Sequence, residues 1–204
     1  MSTDQGRALR RDPAERRAEI AAAARDLALE EGLAAVTLRA VAGRAGVTPA
    51  LVAHYAPSMD DLVASTFAEV VGAELDDLVA STASGSPAER LGALLRALLD
   101  GTHADVTLVW VEAWGLGRRS DALAAAVREQ MDRWQDALHA LIVAGDADGS
   151  FCVDDPADAA WQLLGMIDGV NAQSLVRWGG PADRSTLMIR AVEGMLGVER
   201  GGLG

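Results

Sequence analysis

Residues 37–55, TLRAVAGRAGVTPALVAHY, hold two short helices and the turn between them, and their reading decides the fold. Thr37 is placed to cap the first helix, because its hydroxyl can accept from a free backbone N–H of the opening turn. Leu38, Val41, Ala42 and Ala45 recur at three- and four-residue spacing and share one helical face. Gly46 can take the positive φ that stops a helix. Thr48 caps the next helix, and Pro49 at its first position gives up no N–H that the helix would use. Two helices across so tight a turn form a helix-turn-helix, whose second helix is shaped to enter a DNA major groove.

Helix entries repeat outward along the chain. Asp12-Pro13-Ala14-Glu15, Ser86-Pro87-Ala88-Glu89 and Asp155-Pro156-Ala157-Asp158 each set a cap, a first-turn proline and an acid in capping-box order. Pro49 and Pro181 also read as helix starts, and Pro57 precedes a Ser58 cap that Asp61 completes. No segment shows strand alternation. The expected fold is all-α, with about nine helices over residues 13–31, 38–45, 49–55, 58–79, 87–102, 105–117, 120–144, 156–178 and 181–196. A loop is expected over residues 145–154, with its turn at 146–149. The fourth helix faces two ways: Leu62 and Phe67 can close the head, Leu75 and Leu78 can pack on the body. The division that follows is 13–71 for a DNA-binding head and 72–204 for a body.

Composition narrows the function. The chain has 204 residues and a net charge of −12, but the charge is uneven. Residues 1–55 carry eight Arg against seven acids; the rest carry ten Arg against 23. A near-neutral head, with arginines at 7, 10, 11, 16 and 17, therefore sits on an acidic body that DNA repels. Residues 1–12 read as a basic arm or as a start with no role. No apolar run is long enough for a membrane span, and no secretory signal is visible. The single cysteine, Cys152, excludes an internal disulfide and fits a reducing cytoplasm. His103 and His139 have no metal-ligand neighbours at zinc spacing. No catalytic triad, phosphate loop or HExxH is present, so no catalytic residue, metal or cofactor is expected.

Ile20, Ala24, Leu27, Glu30-Glu31-Gly32-Leu33, Val36-Thr37, Val41-Ala42, Ala45-Gly46-Val47-Thr48 and Pro57-Ser58 with Leu62 together resemble the N-terminal domain of TetR-type transcriptional regulators, from about residue 13 to 71. The pattern departs where that family usually shows Tyr, His, Phe and Lys: Ala53, Tyr55, Ala56 and Met59 stand there. The absent Lys removes an expected phosphate contact. The later half resembles the betaine-pathway, choline-responsive branch of that family. Trp134, Leu138, Leu141-Ile142, Gly145, Gly149-Ser150-Phe151, Asp155-Pro156, Ala159-Ala160 and Ile167-Asp168-Gly169 carry that likeness.

The resemblance implies a homodimeric, ligand-responsive regulator, in the first instance a repressor, with two reading helices on a near-palindromic operator. It also implies that an effector tilts the fourth helix. Thr48, Pro49 and Ala50 then meet base edges, His54 and Tyr55 lie at the far end, and Thr37, Arg39 and Arg44 grip phosphate. The alternative is a helical protein-interaction module that has lost DNA binding.

Two further constellations are open to more than one reading. Trp110 and Trp114 share a face, Met131 and Trp134 lie on the stripe of the seventh helix, and Leu164, Asp168, Asn171, Leu175 and Trp178 line one face of the eighth. Polar Asp168 and Asn171 on an apolar stripe suit a pocket, and indoles near Asp168 or Glu112 suit a cationic or amphipathic effector. Ordinary core packing is the bland reading. On the opposite face, Trp161, Gly165, Gly169 and Ala172, with Leu187 and Ala191 of the ninth helix, fit either a two-fold four-helix interface or packing within the chain.

Overall fold

The computed structural model describes residues 12–204, apart from the side chains of residues 181–183; the expected arm below residue 12 lies outside them. Among the described residues, nine α-helices run α1 (Pro13–Glu31), α2 (Leu38–Arg44), α3 (Pro49–Tyr55), α4 (Met59–Ser81), α5 (Pro87–Leu99), α6 (Ala104–Gly117), α7 (Asp121–Asp148), α8 (Pro156–Leu175) and α9 (Pro181–Met195). A 3-10 turn, Leu33–Ala35, lies between α1 and α2, and no strand occurs among the described residues. The caps lie where the sequence put them: Asp12, Thr37, Thr48, Ser58, Ser86, Ser120 and Asp155 each accept a first-turn N–H. Both halves of the capping box form at Ser86, whose N–H donates to Glu89 while its Oγ accepts from the Glu89 N–H.

Three helix ends differ by three or more residues from the sequence reading, and the first is α5, which stops at Leu99 rather than at residue 102. The α7 helix continues through 145–148 and stops at Gly149, at φ 81. Gly145 is needed for packing rather than for a turn: the Phe151 ring fills the space where its Cβ would stand. In the third case, α8 ends at Leu175 rather than at residue 178. Arg177 takes the left-handed φ of 57, and the N–H groups of Arg177 and Trp178 return to the carbonyls of Ser174 and Gln173. This is the double bond pattern that ordinarily uses glycine.

The apolar side chains form two buried clusters. One joins Ile20, Ala24, Leu27, Val41, Val52, Phe67 and Val71 to Val109 and Ala113 of α6 and Leu123 and Val127 of α7. The other joins Leu75, Leu78 and the α5 leucines to Trp134, Leu138, Leu163, Ile167, Val192 and Leu196. Thus α4 passes from one cluster into the other between Val71 and Leu75. Trp110 packs against both. The head therefore rests on α6 as well as α4, which the sequence reading did not anticipate.

Candidate DNA-reading face and effector cavity

The turn before α3 is built by backbone bonds that fix its angle. At Gly46, φ is 64; its N–H donates to Gly43 O and the Val47 N–H to Ala42 O, the paired closure of a helix C-terminus. Thr48 then opens α3 and accepts from the Leu51 N–H at 3.3 Å. Only Val52 of α3 is fully buried, anchoring the helix, while Thr48, Pro49, Ala50, Ala53 and His54 are exposed. A seven-residue helix held by one inward valine leaves most of its surface free for a groove.

Of the remaining predicted DNA contacts, Thr37 and Arg39 are exposed, and Arg39 carries no ion pair among the described residues. Arg44 is exposed, and its guanidinium forks onto Glu30 at 2.9 and 2.6 Å, with Glu31 at 3.7 Å, which ties α2 to α1. Those bonds hold Glu30 below the usual carboxylate range and raise Arg44. Tyr55 is half-buried, edge-on to His54 at 5.1 Å and 5.9 Å from the Arg17 guanidinium. Arg17, exposed on α1, is thereby placed beside the end of α3 and was missed. Ala56 and Met59 pack on the head core, so these departures from the family pattern are structural.

Above the head, a narrow cavity of about 40 Å³ opens between α4, α5, α6, α7 and α8. Trp110, Trp114, Met131, Trp134, Asp168 and Asn171 line it, joining six of the seven predicted ligand residues. Trp178 does not: it follows the Arg177 reversal and is 67% exposed. Nor does Glu112, whose carboxylate accepts the Ala34 N–H at 2.8 Å and fixes α6 to the 3-10 turn of the head.

Two acids give the cavity its chemistry. Asp168, with no ion pair among the described residues, is pushed up to about 6 by burial. Glu74 of α4 was missed altogether. Its side chain is 7% exposed and its Oε1 lies 3.1 Å from His103 Nδ1. Burial pushes it up to about 8, the Asp105 charge adds to this, and a hydrogen bond from the Trp110 side chain opposes it. Glu74 follows Val71 by three residues and precedes Leu78 by four, a spacing that already placed it on the inward stripe of α4. Trp134 Nε1 is buried without a partner, a donor whose desolvation costs on the order of 1–3 kcal/mol until an acceptor meets it. Among the described residues, no cluster of three or more His, Cys, Asp or Glu could hold a metal ion.

The outer face of α8 and α9 is apolar and uncovered. Trp161, Val176 and Leu187 are 72%, 77% and 64% exposed. Nothing of this chain lies within 4 Å of where a Cβ would stand on Gly165 or Gly169. Ala191 is exposed and Ala172 half-buried. Among the described residues, no other helix packs against Gly165 or Gly169 on this stripe.

A capped helix-turn-helix on a small head, joined by one continuous helix to a helical body, points to a class: helical DNA-binding transcriptional regulators. Residues 20–66 match the bacterial regulatory proteins of the tetR family, and residues 87–196 match the C-terminal domain of BetI-type transcriptional repressors. The chain belongs to the TetR family. It is 32% identical over 163 residues to the HTH-type transcriptional regulator BetI of Rhizobium meliloti (strain 1021), covering 78% of this chain and 77% of that protein. To the HTH-type transcriptional repressor KstR2 of Mycolicibacterium smegmatis it is 31% identical over 178 residues, 83% of each. A transcriptional regulator from Saccharomonospora viridis, crystallised with choline, shares the fold with a TM-score of 0.78 at 24% identity, over 88% of this chain and 96% of that one. A TetR-family regulator from Rhodococcus sp. gives 0.76 at 19%, over 90% and 99%. No helix among the described residues is long and apolar enough to cross a membrane.

Proposed function

We propose that this protein is a homodimeric cytoplasmic repressor, not an enzyme, released from a near-palindromic operator when a small organic cation enters the cavity. The observation that carries the effector class is the pairing of a buried carboxylate, Glu74, and a half-buried one, Asp168, with the indoles of Trp110, Trp114 and Trp134. Aromatic faces and a carboxylate attract a cation whose own hydration is weak, and choline in the Saccharomonospora viridis regulator is consistent with that chemistry. Residues 13–71 read DNA and residues 72–204 hold the effector and the partner. The exposed face of Trp161, Gly165, Gly169, Ala172, Leu187 and Ala191 packs on its two-fold copy.

Control follows from α4, which is anchored in both apolar clusters and presents Glu74 to the cavity. A ligand changes operator affinity only by preferring one arrangement of the head, at about 1–3 kcal/mol of coupling. Saturating choline is therefore expected to weaken operator binding about 5- to 150-fold in a fluorescence anisotropy titration. Affinity unchanged by choline and by larger quaternary ammonium ions would reject the effector class.

Thr48, Pro49, Ala50 and His54 present the base-reading surface, and Arg39 and Arg17 supply phosphate contacts. Arg39→Ala should weaken binding to all duplexes alike and flatten the log–log salt slope of the dimer by about two, one per copy. A slope identical to that of the parent protein would remove Arg39 from the interface.

A further inference from the structure

We propose that Glu74 is the carboxylate that reads the effector's charge, and that a proton and the cation compete for it. The inference rests on the organic-cation reading above and adds which acid acts and what it releases. Glu74 and Asp168 both line the cavity, but their settings differ. Asp168 is on α8, within the body; Glu74 is on α4, the helix that continues into the head. Glu74 also has a neighbour suited to hold its proton, since a neutral His103 can accept at Nδ1 from the protonated carboxyl at 3.1 Å.

An empty, tryptophan-lined cavity favours the uncharged acid, because ionising a carboxyl with so little water is expensive. Its ordinary range is raised to about 8 by that burial and by Asp105. A cation held against the indoles reverses the balance: Glu74 ionises, its proton leaves for solvent, and the cation takes the proton's place as counter-charge. No bond other than the O–H is broken.

The surrounding charges leave Glu74 as the titrating partner. At the start of α6 it faces His103, at 3.1 Å, and Asp105, whose charge favours the protonated acid. At the end of α5, Asp100 is held ionised by the Thr102 backbone and hydroxyl. From α7, Arg133 is bound to Asp76 at 2.7 Å and to Gln130 at 2.9 Å. Across the cavity Asp168, raised to about 6, is already largely ionised at neutral pH.

The test is calorimetric titration of choline into the full chain at pH 7.0, in two buffers of different ionisation enthalpy, repeated at pH 6.0 and 8.5. The expected result is release of most of one proton per choline at pH 7.0, little at 8.5, and an affinity that falls toward tenfold per pH unit below about 8. Glu74→Gln should abolish the release and weaken binding, while Asp168→Asn keeps the release. Choline binding with no proton release, or release that persists in Glu74→Gln, overturns this inference and leaves the cation reading standing. Absence of binding by choline and larger quaternary ammonium ions at every pH, or equal binding of the neutral isostere 3,3-dimethyl-1-butanol, overturns both. The wild-type measurement stands without the variant, so a Glu74→Gln chain that failed to fold would not shield the claim.

Discussion

Leu187→Arg combined with Trp161→Glu is expected to leave a folded monomer that no longer holds operator DNA at concentrations where the parent protein does. Both side chains are exposed in the single chain, so neither substitution disturbs a core. In a two-fold interface each change occurs twice, once per copy. An unpaired charge buried in apolar surroundings costs roughly 3 kcal/mol as an order-of-magnitude figure. Counting one uncompensated charge per chain, since the introduced Arg and Glu can partly offset each other, the dimer loses about 6 kcal/mol, or about four orders of magnitude in its constant at 1.4 kcal/mol per tenfold. A monomer meets one half-site only, so operator affinity falls with it. Sedimentation velocity and a gel-shift assay read the two effects. A variant still dimeric, with parental operator affinity, would move the interface off α8 and α9.

Phe67→Ala carries the largest expected cost to folding. Its ring is wholly buried on α4, edge-on to Trp110 with centroids 5.0 Å apart and planes at 88°. Removing it strips the head cluster of its largest fully buried side chain where it meets the indole that packs on both clusters. Truncating a buried Phe costs about 3–5 kcal/mol, the remaining cavity included, against a total stability of about 5–15 kcal/mol. A chain of this size then melts roughly 6–20 °C lower, at about 2–4 °C per kcal/mol. Denaturant melts give the free energy directly, and a loss under about 1 kcal/mol would mean that the two clusters are not joined through this ring.

What the sequence disclosed and what it hid divide along a physical line. Caps, first-turn prolines and the positive-φ glycine at 46 act within a few residues, so Thr48, Ser86 and Gly46 could be read directly and recur in the structure. The apolar stripes of α4 and α7 were legible for the same reason: their spacing reports a helix face whatever it packs against. The missed features depend on residues far apart in the chain. The fork of Arg44 onto Glu30, 14 positions away, could not be read from either residue alone. Glu112 is 78 positions from the Ala34 N–H that it accepts. Glu74, close to Asp76 and Asp77, falls on the inward stripe of α4 by spacing, but only the cavity shows that its carboxyl is enclosed. Arg177 in a glycine-type conformation ended α8 early and carried Trp178 away from the pocket.

The claim beneath all of this is that α3, presented twice by a symmetric dimer, reads a specific duplex. Selection from a random duplex library by the purified full chain tests it most directly. The expected winner is a near-palindrome whose half-sites are one helical turn apart, about 34–36 Å, or a multiple of it, with base preference lost when His54 and Thr48 are both replaced by Ala. Enrichment of no sequence over bulk DNA, or a preferred site indifferent to those two residues, would contradict it.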